Sequence, residues 1–449
     1  MIMYHTCKRY NTIIIGAGVA GLSLGYLLSL ESQEFIILEK SNDIGGNLRQ
    51  VHQDEFIYDL GVKCIHDADE EATSFIRNLM MGELNEGKIR IKIYIDRKFT
   101  DWPFELNLRD IPLKVKIKCL SDFIQAKIMK RRREIKCFDE WAYRSFGRGI
   151  SDHFLIPYSE KSWKLSTKDI NHEGMTDRVV PPPSILSVLE GSIKIKKIIK
   201  KRDALGYRYL YPKNGMLSII EKMSLGIKDR IMLNAGVVSI DGDGNIVKLR
   251  NGEIFRYENI VSTIPLPNLI NLIDKTPEEV RLASTKLNSN CIIIIGIILN
   301  KTLNIDDHYI LFPEKRFLFH RISFPKNFSN LLVPSGKDCI VVEISLKKEE
   351  KNLLHDQKYK QKLVQEVIRQ LEETGLIKGE NVIETNLHVI DPGYILTDLD
   401  WADNLKIINR FLEEKKICIC GRFAEWKYLR IDETIKRMMT IVDQIKTVD

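Results

Sequence analysis

The chain has 449 residues, 44% of them hydrophobic and 29% charged, which is a globular composition and excludes a disordered or fibrous one. That length exceeds what one core usually supports, so two intertwined domains are expected. No apolar run reaches the roughly eighteen residues of a spanning helix, and Met1-Ile-Met-Tyr-His-Thr-Cys-Lys-Arg9 lacks an apolar signal core, so a cytoplasmic protein is expected.

The opening segment Asn11-Thr-Ile-Ile-Ile-Gly16-Ala-Gly18-Val-Ala-Gly21 reads as an apolar strand, a glycine turn and a helix from Val19 to about Leu30. A second strand, Phe35-Ile-Ile-Leu38, ends in Glu39, twenty-three residues after Gly16. Gly16 permits the turn, Gly18 lets a pyrophosphate approach the backbone, and Gly21 lets the helix pack on the sheet. The helix N-terminus then faces phosphates, and Glu39 stands at the spacing from which an acid reaches ribose hydroxyls. A dinucleotide site is predicted. Ser41-Asn-Asp-Ile-Gly45-Gly46-Asn-Leu-Arg49 adds a second glycine turn carrying a cation. A nicotinamide dinucleotide rarely needs that turn; FAD, which lies extended, does. FAD is therefore the expected cofactor, and Tyr58-Asp59-Leu60-Gly61 returns towards it.

From Asp101 the character changes to Trp102-Pro-Phe and then to long basic stretches up to about Lys168, read as a mostly helical insertion. Two basic clusters, Lys127-Ile-Met-Lys130-Arg-Arg-Arg133 with Lys136 and Lys194-Ile-Lys196-Lys-Ile-Ile-Lys200-Lys-Arg202, contribute to a net charge of +7. A solvated helix face and a loose contact with an anionic membrane surface or polyanion are the two readings of them. Nucleic acid is not expected, because interleaved aromatics are missing. Further along come a turn at Tyr211-Pro-Lys-Asn-Gly215, a helix from about Met216 to Ser224, and a hairpin over Val237 to Gly252 with an Asp-Gly signal. A strand follows at Asn259 to Pro265, then alternating strands over about 285–346, with Cys291 to Leu299 as a buried one. A helix spans about Lys358 to Thr374. A closing strand ends at Gly421-Arg422, and a helix begins with the acidic turn Asp432-Glu433-Thr434. None of the eight cysteines forms a CxxC pair, so free thiols are expected and neither disulfides nor a metal.

The glycine motif resembles that of the amine-oxidase-like superfamily of FAD proteins. Four further segments are similar to the UDP-galactopyranose mutase family within it: Trp102-Pro103-Phe104 with Leu108 to Pro112, Pro157-Tyr158-Ser-Glu160-Lys161-Ser-Trp163, Tyr211 to Gly215, and Gly421-Arg422 through Tyr428 to Asp432. The resemblance implies an α/β fold, with a Rossmann-type FAD-binding domain and a mixed helical and antiparallel-sheet substrate domain. The FAD-binding parts are expected at 11–95, 206–280 and 381–449, the helical insertion at 96–205, and the substrate-domain sheet at 281–380. It further implies that Gly421 and Asp432 hold the cofactor, that Arg422 holds the flavin or the diphosphate, that Arg321, also a catalytic candidate, and Tyr428 contact a substrate diphosphate, and that Tyr158 and Trp163 frame sugar or base. Trp163 fits a core position equally well, and Lys161 reads most simply as half of a surface ion pair. The family's loop histidine is replaced in Gly61-Val-Lys63-Cys-Ile-His66, where Lys63 stands in its place and His66 lies three residues on; both are catalytic candidates. Arg430 stands where the family usually carries an acid.

The activity implied is isomerisation of a nucleotide sugar by the reduced flavin acting as nucleophile, which needs an external reductant. The alternative is an oxidase or desaturase that uses an electron acceptor, which the same fold supports and which the missing histidine favours. A flavin-binding protein without turnover is disfavoured by the charged and aromatic residues in the site-like segments.

Overall fold

The first strand, Lys8–Ile15, is apolar at its end because it runs between two parallel neighbours, Phe35–Leu38 and Ile254–Ser262. Its Ile13 and Ile14 are wholly buried. A computed structural model of the protein describes residues 7–129, 134–176, 179, 181–193 and 207–446. Its first sheet runs Ile231–Met232, Phe35–Leu38, Lys8–Ile15, Ile254–Ser262, then turns antiparallel through Ile246–Leu249 and Val237–Asp241. The last two strands are the predicted hairpin, and Asp241 Oδ1 accepts the N–H groups of Asp243 and Gly244 in its turn. Ile417–Ile419 joins Ile254–Ser262 in parallel, so the chain's last strand completes the sheet that its first strand opens. Above it, the helix Val19–Leu30 packs against the C-terminal helix Ile431–Lys446.

The second sheet has seven strands in the order Val382–Ile390, Cys291–Leu299, Asp338–Leu346, Arg321–Ser323, Tyr309–Leu311, Ile91–Ile95 and Lys98–Asp101. Cys291–Leu299 is antiparallel to both neighbours and buried along its whole length, as an unbroken apolar run requires. Alternation divides its side chains between two cores. Ile293, Ile295 and Ile297 meet Val367 and Leu371 of the helix Gln357–Glu373, whereas Ile292, Ile294 and Ile298 join the core shared with the first helix. A small sheet of Ile65–His66, Arg208–Pro212 and Leu84–Lys88 bridges the two halves.

The expected helical insertion is present as Leu113–Ile128, Phe138–Ile150 and Ile156–Trp163, with Ile185–Ser192 beyond. The helices predicted near 216, 358 and 432 appear as Leu217–Leu225, Gln357–Glu373 and Ile431–Lys446. Of the two basic clusters, residues 130–133 and 194–202 lie outside the described residues. No helix among the described residues is long and apolar enough to cross a membrane. All eight cysteines are free, with Cys7 exposed.

Candidate functional site

At the end of the first strand, two glycines are bare for packing reasons and one is not. Gly16 adopts a φ of +105°, in the left-handed region. A Cβ on Gly21 would lie 1.9 Å from the Gly16 carbonyl oxygen, so helix and turn can touch only if that position has no side chain. Gly18, the N-cap of the first helix, is different: a Cβ there would meet nothing closer than the Gly46 Cα at 4.0 Å. It offers no side-chain cap either, which leaves the first-turn N–H groups available to a ligand. The second glycine turn is tied to the first, since Gly45 N–H donates to the Ala17 carbonyl at 2.8 Å. Arg49 folds back, its Nε donating to Gly46 O at 3.0 Å. Glu39 accepts the N–H of Ala17 on one carboxylate oxygen (2.8 Å) and that of Ser41 on the other (2.9 Å). Each oxygen retains a lone pair for a ribose hydroxyl. These residues fit a dinucleotide.

A cavity of about 820 Å³ runs from this turn into the second half of the molecule. Of the residues expected to hold cofactor or substrate or to act in catalysis, all line it except Gly21 and Asp432. Gly21 sits in the helix–turn contact. The Asp432 side chain is wholly buried in the first turn of the C-terminal helix, 3.5 Å from Arg430 Nε, and burial raises its carboxyl above the usual range. Arg430, Ile431 and Thr434 face the cavity in its place. Arg422 donates through Nε and Nη2 to the Leu429 carbonyl (2.9 and 2.7 Å) and lies 4.4 Å from the Tyr428 ring centroid. These contacts close the C-terminal loop on itself, and Gly421 lies against the first helix, where a Cβ on it would be 3.0 Å from that of Ala20.

Deeper in, Arg321 makes a two-pronged contact with Glu343: Nε to Oε1 at 2.8 Å and Nη2 to Oε2 at 2.6 Å. Nη2 also donates to the Tyr394 hydroxyl at 3.0 Å, and Glu343 Oε1 accepts the Val62 N–H at 2.8 Å. One buried carboxylate therefore holds both the arginine and the loop bearing Lys63. Tyr158, stacked on Phe154, faces the same space; burial pushes its phenol up to about 12. Trp163 is buried as a core position requires, and it also lines the cavity and tilts over Tyr394. Lys161 corrects the reading of a surface ion pair. It is buried, and its Nζ donates to the carbonyls of Phe312 and Glu314, both at 2.8 Å, which joins the helix Ile156–Trp163 to the second sheet.

Of the catalytic candidates, Lys63 and His66 separate by their protonation. Burial and the nearby Arg430 lower His66 to about 4, so it is neutral near pH 7. Lys63, its Nζ donating to the Leu60 carbonyl, is lowered by burial to about 8 against the pull of Asp59 and Glu343. An ionisation near pH 8 is expected in the pH profile of turnover or bound-cofactor absorbance. It should vanish in Lys63→Met and persist in His66→Gln; persistence in Lys63→Met would reassign it.

Glu343, Tyr309, Tyr394 and Glu105 went unread in the sequence. Glu343 left a signal, an acid set between Val342 and Ile344 in the middle of the strand Asp338–Leu346. Glu105 lines the cavity, 2% exposed, with its Oε1 lacking a hydrogen-bond partner among the described residues. Burial raises its carboxyl from 4.5 to about 7. A folded-state pKa raised in this way favours the acid form, so the protein is most stable below pH 4.5 with respect to this group and loses that stability as pH rises through 7. Glu105→Leu should therefore stabilise the protein more at pH 8 than at pH 5, as read from denaturant midpoints at the two pH values.

A strand, glycine turn, uncapped helix and terminal acid in this arrangement form a Rossmann-like dinucleotide turn, and the family described as NAD(P)-binding Rossmann-like domain matches residues 14–79. The whole chain has the fold of UDP-galactopyranose mutase. The crystal structure of the reduced form of that enzyme superposes with a TM-score of 0.88 at 22% identity, covering 98% of this chain and 94% of the other. Sequence similarity is shorter. UDP-galactopyranose mutase of Mycoplasma pneumoniae is 25% identical over 177 residues, 37% of this chain and 44% of that protein. The mitochondrial protoporphyrinogen oxidase of Nicotiana tabacum is 27% identical over 158 residues, 32% and 31% of the two chains. The chain thus matches less than half the length of these relatives.

Proposed function

We propose that this protein is an FAD-dependent flavoenzyme that isomerises a nucleotide sugar with its flavin reduced and without net redox change. The observation that carries the reading is the group of guanidinium and phenol side chains in one cavity with the dinucleotide turn: Arg321, Tyr158, Tyr309, Tyr394 and Tyr428. Such groups suit a diphosphate leaving group. FAD is favoured by the second glycine turn, bonded to the first through Gly45. When bound, it supplies a reduced, nucleophilic ring.

The chain's own residues bind and orient. Arg321 keeps Nη1 for a phosphate oxygen, since that nitrogen makes no hydrogen bond among the described residues, while Glu343 fixes the plane of the guanidinium. Burial raises the phenols of Tyr158, Tyr309 and Tyr394, which stay protonated and donate. In this reading, the described residues of 11–95, 206–280 and 381–449 build the cofactor side and those of 96–205 and 281–380 the substrate side, except that the strands Ile91–Ile95 and Val382–Ile390 belong to the substrate-side sheet. An oxidase or desaturase is the second reading, favoured by Lys63 in the cavity.

Two measurements decide. UDP added to purified protein should perturb the flavin absorbance, and turnover of a nucleotide sugar should appear only after reduction with dithionite, with no hydrogen peroxide accumulating. Stoichiometric peroxide formed from a substrate under air would establish the oxidase reading instead.

A further inference from the structure

The helices Leu113–Ile128 and Ile185–Ser192 pack side by side, and Lys116 Nζ reaches the carbonyls of Arg109 (3.0 Å) and Ser192 (3.4 Å) between them. Their outer faces are apolar where solvent-facing helices are normally polar. Leu113 is 69% exposed, Ile117 58%, Ile128 70% and Leu186 66%, with Met129 and Ile193 also exposed. Leu113, Ile117, Ile124 and Ile128 are spaced by four, seven and four residues and so form one stripe.

The charges beside that stripe are mostly basic. Lys114, Lys118 and Lys127 flank it, and the sole acid of the first helix, Asp122, is paired with Lys118 at 3.0 Å. Glu190 is the acid of the second helix. In sequence, Met129 and Ile193 are followed directly by Lys130-Arg-Arg-Arg133 and by Lys194-Ile-Lys196-Lys197. Two copies of this face would bring lysine against lysine, whereas an anionic bilayer surface offers apolar depth and negative charge together. The same helix Ile185–Ser192 packs on the segment Phe104–Asp110, whose Glu105 lines the cavity. Docking face and cavity thus share a wall.

We infer that this two-helix face docks the protein on the surface of an anionic lipid bilayer. Aliphatic side chains enter the interface and the lysines meet lipid phosphates. Cosedimentation of the full-length, cofactor-loaded protein with phosphatidylglycerol–phosphatidylcholine vesicles should exceed that with phosphatidylcholine vesicles by at least about tenfold in partition, and weaken with salt. Ile117→Ser and Leu186→Ser should each weaken binding by about tenfold, and Lys114→Glu should remove the preference for anionic lipid. Thermal unfolding and flavin content should stay unchanged, because all three side chains are exposed. Equal binding to both vesicles, or serine variants that bind like the parent, would overturn the inference. A monomer–dimer equilibrium that shifts in Ile117→Ser while vesicle binding does not would overturn it too and make the face an interface between copies.

Discussion

Gly18→Val should yield a folded protein that no longer retains its dinucleotide. Space around Gly18 makes the effect separable from folding: the first protein atom that a Cβ would meet is 4.0 Å away, at Gly46. The residue is the helix N-cap, with φ −84° and ψ −172°, an extended conformation open to valine. The branched side chain would occupy the room left for phosphates, and affinity should fall at least about 100-fold, roughly 3 kcal/mol. Stripped of cofactor, variant and parent should unfold at similar temperatures. Gly21→Val provides the contrast, since its Cβ would press on backbone at 1.9 Å and should destabilise the apoprotein itself. Full flavin occupancy in purified Gly18→Val would show that this turn is not the cofactor site.

Arg321→Ala should unfold far more readily than loss of a ligand contact would suggest. Glu343 is 2% exposed, and Arg321 is the cation that compensates it. The guanidinium holds its carboxyl below the usual range despite burial, and removing that partner strands a buried charge. Breaking such a pair costs about 3–5 kcal/mol. The damage should spread to the Lys63 loop, because the same carboxylate accepts the Val62 N–H. Arg321→Met combined with Glu343→Gln removes both charges and keeps an acceptor for that N–H, so it should recover most of the loss in denaturant unfolding. If Arg321→Ala proves as stable as the parent, the pair does not support the loop. Any decrease in UDP binding by Arg321→Ala must be interpreted beside this stability loss.

The dinucleotide turn was legible because its parts lie within about thirty residues and each has a fixed spacing requirement. What that local pattern does not contain is the partner of each side chain. Tyr58-Asp59-Leu60-Gly61 and Tyr211 to Gly215 both stood out as segments, yet the bond joining them, Tyr211 hydroxyl to Asp59 Oδ2 at 2.6 Å, spans 152 positions of sequence. Lys161 illustrates the same limit. A lysine in a polar helix reads as solvated, and its burial follows from carbonyls at 312 and 314 that no helical periodicity reveals. The hairpin Ile91–Ile95 and Lys98–Asp101 was missed as part of the second sheet because its neighbour, Tyr309–Leu311, lies more than two hundred residues further on. Asp432 failed as a cavity residue for a rotational reason: at a helix start, neighbouring positions point in different directions, and Arg430, Ile431 and Thr434 took the inward ones.

Synthesis from the N-terminus delivers the dinucleotide turn first and the rest of its surroundings last. The strand Ile417–Ile419 pairs beside Ile254–Ser262, and Arg422, Tyr428 and Arg430 face the cavity from residues synthesised about four hundred positions after the glycine turn. A nascent chain displaying the glycine turn therefore has one wall of its pocket and not the other. A chain ending before residue 417 would keep the glycine turn and the cavity wall up to Tyr394, and would lack the part of the wall that Gly421, Arg422, Tyr428 and Arg430 supply.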